Sequence, residues 1–136
     1  MEVSRRTDYA IRILLELARE GGGPVSVRRL AEGQEVPYAF ARGIQRDLVA
    51  AGLVRSQRGA TGGIILARPA KQITLLDVVE ATEGGVSCAV CTSDPSWCRR
   101  MSTCSVHAVW HDIDDMVAGY LRTKSLAGLI EQERGR

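Results

Sequence analysis

Apolar residues recur at helical spacing from the start of the chain. Tyr9, Ala10, Ile13, Leu14, Leu17 and Ala18 share one face, with Ser4 placed to cap the helix and Asp8 in its first turn. Gly21-Gly22-Gly23-Pro24 ends this helix. Ser26 caps a second, from Val27 to about Gln34, with Leu30 and Ala31 inward. After a short turn, Pro37 stands where a helix favours its first residue, and a third helix runs to about Ala51 and stops at Gly52. Tyr38, Ala41, Ile44 and Leu48 form its inner stripe, leaving Ala39, Arg42, Gln45 and Arg46 outside. Gly43 in mid-helix costs about 1 kcal/mol relative to alanine, which suggests a close approach there.

The period then changes. Residues 53–56 and 64–67 read as two strands joined by a glycine-rich tip, residues 57–63, that carries Arg58. Two short helices with a tight turn, followed by a hairpin, predict a winged helix-turn-helix with the third helix as reader. Thr74 caps a fourth helix, Leu75 to Thr82, and Gly84-Gly85 breaks it. From about Cys104 a long helix carries Val106, Val109, Trp110, Ile113, Met116, Val117, Tyr120 and Leu121, a stripe that suits pairing with the same helix of a second subunit. Ser125 caps a last helix with Leu126, Leu129 and Ile130 inward, and residues 133–136 are expected to fray. The fold class is mainly α with a small β-hairpin wing, ending in a long dimerisation helix. The expected division is a DNA-binding domain over residues 1–83, a cysteine-rich loop over 84–103, and dimerisation and C-terminal helices over 104–136.

Charge supports a polyanionic partner for the front half. Residues 1–68 hold 11 arginines and no lysine against 7 acids, a net +4; residues 69–136 hold 7 cations against 9 acids, a net −2. The 136 residues are 45% hydrophobic, which fits a soluble domain with a real core. No stretch approaches the ~20 apolar residues of a membrane span. Met1 leads straight into Arg5, Arg6 and Asp8, so no secretion signal is expected and the chain is placed in a reducing cytoplasm.

In that compartment clustered cysteines favour metal or redox chemistry over structural disulfides. All four cysteines and one of two histidines fall in C-x2-C-x6-C-x5-C-x2-H: Cys88, Cys91, Cys98, Cys104 and His107. Cys104 and His107, three apart at a helix start, point to one side and form a plausible pair on one metal. Three readings stay open on spacing: an iron–sulfur cluster, a structural zinc held by four of the five, and a thiol–disulfide switch with Cys88 and Cys91 as the nearest pair. His111, one turn further on, is within reach of the same site, but is expected rather to be an exposed or interfacial helix residue. No phosphate-binding glycine loop, second cofactor motif or nucleophile–base pair occurs elsewhere, so no enzyme and no small-molecule substrate are expected.

Several segments together resemble the IscR/NsrR-type family of bacterial winged-helix iron–sulfur regulators: Val3-Ser4-Arg5-Arg6-Thr7-Asp8-Tyr9-Ala10, Gly52-Leu53-Val54 through Arg58-Gly59-Ala60-Thr61-Gly62-Gly63, Cys104-Ser105-Val106-His107-Ala108-Val109-Trp110, and Ser125-Leu126-Ala127-Gly128-Leu129. The resemblance covers nearly the whole chain and is nearest to IscR-like members. It implies a homodimer, a double-stranded operator, and one cluster per subunit that reports cluster, redox or NO status, commonly in a repressor. It implies a 2Fe–2S cluster on Cys91, Cys98, Cys104 and His107. The Cys91–Cys98 gap is one residue longer than the IscR pattern, and Cys88 is extra; Cys88, or Asp8 of the other subunit as in NsrR-like members, would be an alternative fourth ligand and would admit a 4Fe–4S cluster. The matching DNA-contact residues are Tyr38, Ala39, Arg42, Gln45 and Arg46 in the third helix and Arg58 in the wing. Arg42 stands where IscR-like proteins carry an acid, so its expected base is guanine. A two-fold dimer reads a pseudo-palindrome.

Overall fold

The structure is a computed structural model that describes residues 2–136. Ser4 caps α1 (Arg5–Arg19) by accepting from the Thr7 amide at 3.1 Å. Ala10, Ile13, Leu14 and Leu17 of its apolar face are buried in the centre of the molecule. Helices α2 (Val27–Gly33) and α3 (Tyr38–Ala50) pack on α1 and on each other, with Leu30, Ala31, Ala41, Ile44 and Leu48 in the same core. The turn between them closes with a 2.8 Å bond from the Val36 amide to the Ala31 carbonyl, and Glu35 takes φ 56°, a left-handed conformation unusual for a residue with a side chain.

Strands β1 (Val54–Gln57) and β2 (Gly63–Leu66) pair antiparallel in the register Val54 with Leu66 and Gln57 with Gly63, each shifted by one residue from the expected span. The hairpin is bolted to the start of α2. Val25 and Ile64 exchange backbone bonds of 3.1 and 2.9 Å, and a Cβ on Gly63 would lie 2.2 Å from the Val25 carbonyl oxygen. A Cβ on Gly62 would lie 2.2 Å from the Gln57 carbonyl oxygen. The paired glycines are therefore a steric requirement of the wing.

A 3-10 turn over Ala70–Gln72 leads to α4 (Leu75–Glu83), where Thr74 and Asp77 form a reciprocal capping box and Gly84 ends the helix at φ 81°. Thr7 of α1 and Thr82 of α4 share a 2.6 Å hydroxyl bond in the core. The cysteine segment is not all loop, because Val90–Ser93 forms a short helix, α5. Helix α6 (Ser105–Arg122) follows, and α7 (Leu126–Arg134) turns back to bury Leu126 and Ile130 beside α1. The Leu75 amide donates to Lys124 and the Leu126 amide to Ile73, which pins this return. The expected fraying fails at Glu133, which grips Arg19 with both carboxylate oxygens, 2.7 Å from Nη2. Among the described residues no helix is long and apolar enough to cross a membrane.

Helix α6 uses only part of its apolar surface inside the protomer. Ile113, Val117 and Leu121 are half-buried towards α4, whereas Met116 is 74% and Tyr120 64% exposed, with Val106, Val109 and Trp110 also outward.

Candidate functional site

Helix α3, the expected reader, lies on the surface with its N-terminal half uncovered. Ala39, Arg42 and Arg46 are exposed as expected. Tyr38 is a correction: expected in the inner stripe, it is 36% exposed, on the outside of the first turn of α3. Its ring lies under the Arg28 guanidinium at 4.0 Å, and its hydroxyl accepts from Arg42 at 3.3 Å. That hydrogen bond, and behind it the charges of Arg42 and Arg28, hold the phenol below its ordinary pKa against a smaller opposing effect of burial.

Gln45 is also a partial correction. It is half-buried rather than free, its amide donates to Ser56 of the wing at 3.3 Å, and its Oε1 is buried without a protein partner. It braces the wing against α3. Arg58 is exposed on the hairpin tip. The expected close approach at Gly43 is real but ordinary, with an added Cβ meeting the Arg6 guanidinium at 3.4 Å. Arg6 crosses this glycine to reach Asp47 at 2.6 Å.

The ion pairs sort the arginines. Of the eleven in residues 1–68, five are matched to carboxylates: Arg6 to Asp47, Arg12 to Asp8, Arg19 to Glu16 and Glu133, Arg29 to Glu20 and Arg68 to Asp77. Among the described residues the other six have no such partner. Arg28, Arg42 and Arg46 are on the helix-turn-helix and Arg55 and Arg58 on the wing; only Arg5 is elsewhere. The uncompensated positive charge is thus concentrated on the elements that a winged helix-turn-helix turns towards DNA.

At the other end, α5 brings Cys91 to the first turn of α6, where its Sγ is 3.2 Å from His107 Nδ1. The His111 ring packs edge-on against His107, 4.6 Å between centroids. Cys88 is held from below. Its amide donates to Asp114 Oδ1 at 2.8 Å and its thiol to the Trp110 carbonyl at 3.5 Å. Asp114 is only 7% exposed, an acid inside the half-buried stripe of α6. Burial works to raise its pKa, but the nearby Thr92 hydroxyl, the polar groups of Cys88 and the neighbouring His111 outweigh it and leave the carboxyl below its usual value. Burial, followed by the neighbouring Asp114 carboxylate, pushes the Cys88 thiol up from its ordinary value.

All four cysteines are free thiols and half-buried. In type, thiols and an imidazole fit an iron–sulfur or zinc donor set. In position, among the described residues no three His, Cys, Asp or Glu side chains converge to hold a metal. The structure brings together Cys91 and His107, while Cys104 caps α6 without bonding His107, and Cys98 sits apart from the pair. Asp8 lies on α1 with Arg12 at 3.8 Å as its charged partner, and among the described residues no hydrogen bond or ion pair joins it to a cysteine. Arg28 and Asp114 were not singled out by sequence reasoning. The signals were present: an arginine pair in the first turn of α2, against the helix dipole, and an acid four residues after Trp110 within an apolar stripe.

A family model described as Rrf2, iron-dependent transcriptional regulator, matches residues 3–132. The chain belongs to the Rrf2 family. Protein rrf2 of Nitratidesulfovibrio vulgaris is 32% identical over 131 residues, covering 96% of this chain and 87% of that protein. The regulator IscR of Photorhabdus laumondii is 28% identical over 134 residues, covering 98% and 81%. Among solved structures, CymR of B. subtilis, the global cysteine regulator, superposes with a TM-score of 0.77 at 27% identity over 97% of this chain and 98% of that one. IscR of T. potens gives 0.77 at 27% identity over 98% and 88%. The protein is thus an Rrf2 transcriptional regulator of the winged-helix type, not an enzyme, and the IscR-type resemblance of its sequence holds.

Proposed function

We propose that this Rrf2 regulator binds a pseudo-palindromic DNA operator as a cytoplasmic homodimer, and that an iron–sulfur cluster on Cys91, Cys98, Cys104 and His107 sets its grip on DNA. The observation that carries the reading is the 3.2 Å contact between Cys91 and His107 at the foot of α6. Two donors from different elements already meet there. Residues 95–103 hydrogen-bond only to one another and to Asp94, among the described residues, so bringing Cys98 inward breaks local turns alone. His107, already in contact with Cys91, ranks first as fourth ligand, ahead of Cys88 and of Asp8 from the other subunit. A cluster bound there supplies a redox- and NO-reactive centre.

The chain's own residues supply the response. Cys104 caps α6 and His107 lies in its first turn, so a change in what holds them acts on the end of a rigid helix. The outward face of that helix (Val106, Val109, Trp110, Met116, Tyr120) meets its copy across a two-fold axis. A small rotation there resets the spacing of the two α3 helices on successive major grooves. In this reading residues 1–83 recognise DNA, 84–103 hold the cluster, and α6 within 104–136 couples them. In each subunit Arg42 and Arg46 face the groove and Arg58 the flanking backbone.

Anaerobic purification followed by visible spectroscopy with iron and sulfide analysis tests it. Two irons and two sulfides per subunit support the four ligands named; four of each move the fourth ligand to Cys88 or Asp8. A colourless zinc protein overturns the sensor. A metal-free protein leaves a second reading, a thiol switch, which the absence of a three-ligand group among the described residues and the likeness to CymR favour. It predicts a Cys88–Cys91 disulfide on oxidation.

A further inference from the structure

Arg28 is the largest unexplained feature of the DNA-facing surface. It stands in the first turn of α2, where a positive side chain opposes the helix dipole, and no acid occupies that turn. Its neighbour Arg29 is neutralised by Glu20 at 2.8 Å. Arg28 has no carboxylate partner among the described residues. Instead its guanidinium is stacked 4.0 Å from the centre of the Tyr38 ring, whose hydroxyl accepts from Arg42 at 3.3 Å. One aromatic ring, at the start of α3, thereby holds two unneutralised guanidiniums from two helices. Two like charges brought onto one exposed side chain repel, and stacking at an exposed site offsets that repulsion only weakly. Such an arrangement is best satisfied by an anion between or beside the two.

We propose that Arg28 is a DNA-contacting residue, and that Tyr38 is a positioning residue that fixes Arg28 towards a backbone phosphate and Arg42 towards a base edge. This rests on the reading of α3 as the DNA-reading helix. In a helix-turn-helix the first helix crosses the backbone while the N-terminal residues of the second enter the groove, which gives the two arginines different targets. A planar guanidinium held on a ring loses less rotamer freedom on binding than one that moves freely. Arg28 then contributes affinity without regard to sequence, and the Tyr38 hydroxyl contributes base selectivity through Arg42.

The test uses the full-length protein and a duplex of about 30 base pairs that it enriches from a random pool, long enough for two half-sites. Fluorescence anisotropy against that duplex and an unrelated one is measured between about 50 and 200 mM salt. Arg28→Ala should bind both duplexes at least about tenfold more weakly and lower the salt slope by about one per protomer. Tyr38→Phe keeps the stack and removes the hydroxyl; it should leave the slope unchanged and narrow the preference for the selected duplex several-fold. Arg29→Ala, whose charge is already matched, should resemble the parent. If the parent binds its selected duplex tightly and Arg28→Ala equals it in affinity and slope, the role of Arg28 is overturned. If Tyr38→Phe discriminates as well as the parent, the positioning role of the hydroxyl is overturned. If the parent enriches no duplex, the DNA reading of α3 itself fails, and this inference with it. Circular dichroism of the exposed-site variants checks that each is folded.

Discussion

Asp114→Ala removes the one buried carboxylate that ties the cysteine segment to α6. The Cys88 amide donates to it at 2.8 Å, and Asp114 is 7% exposed, so water replaces that acceptor poorly. A hydrogen bond to a charged group contributes about 1.5–3 kcal/mol, and the orphaned amide adds to the loss, while relief of the carboxylate's own desolvation subtracts. The expected cost is about 2 kcal/mol at neutral pH, or about 8 °C in Tm for a chain of this length. Urea and thermal unfolding at fixed protein concentration read it, since association shifts apparent stability. The pH dependence carries the sign. Asp114's carboxyl is held below its usual value in the folded state, so the unfolded chain takes up this proton first as pH falls. Its stabilisation is complete above the unfolded value of about 3.9 and is lost as pH drops through the lower folded value. The gap between parent and Asp114→Ala should therefore be constant from pH 7 to about 5 and shrink below about 4. Equal stability of the two proteins at neutral pH, or a gap that widens in acid, would refute the argument.

Four further outcomes follow from the geometry. Gly63→Ala places a Cβ 2.2 Å from the Val25 carbonyl oxygen and should cost about 3 kcal/mol in urea unfolding, with the wing detached from α2. Glu35→Gly relieves the left-handed turn between α2 and α3; it should raise stability by about 1 kcal/mol in the same assay. Met116→Glu, at a 74% exposed position on the apolar face of α6, should leave the protomer folded and shift sedimentation from dimer to monomer. Arg42→Ala should weaken selected-duplex binding by about 1–3 kcal/mol and relax the choice at one base pair in each half-site.

The longer helices were legible where local signals agree with the core. The Ser4, Ser26, Thr74 and Ser125 caps all form, and the helical spacing of Ile13, Leu14, Leu17, Ile44 and Leu48 is the spacing of the buried residues. Sequence pattern failed where a side chain's partner is remote. Tyr38 fits an inner stripe by period alone, but it stands outside, stacked under Arg28 of another helix. Gln45 reads as an outward residue until the wing folds back on it. Val90–Ser93 is too short, at four residues, to leave a periodic signal. In the cysteine segment the spacing announced the donors but not their neighbours. The structure joins Cys91 to His107 across the α5–α6 junction and sets Asp114 beneath Cys88, long-range contacts that no local spacing encodes.

In the proposed function, the state of the cysteine site governs DNA binding. The direct measurement is the affinity of one anaerobic preparation for its selected duplex, taken before and after the bound cluster is removed by chelation, with protein concentration and salt held fixed. The loaded and stripped proteins should differ in affinity by at least about fivefold, a coupling of about 1 kcal/mol, and His107→Ala should lose that difference. Equal affinities in the loaded and stripped protein would contradict it.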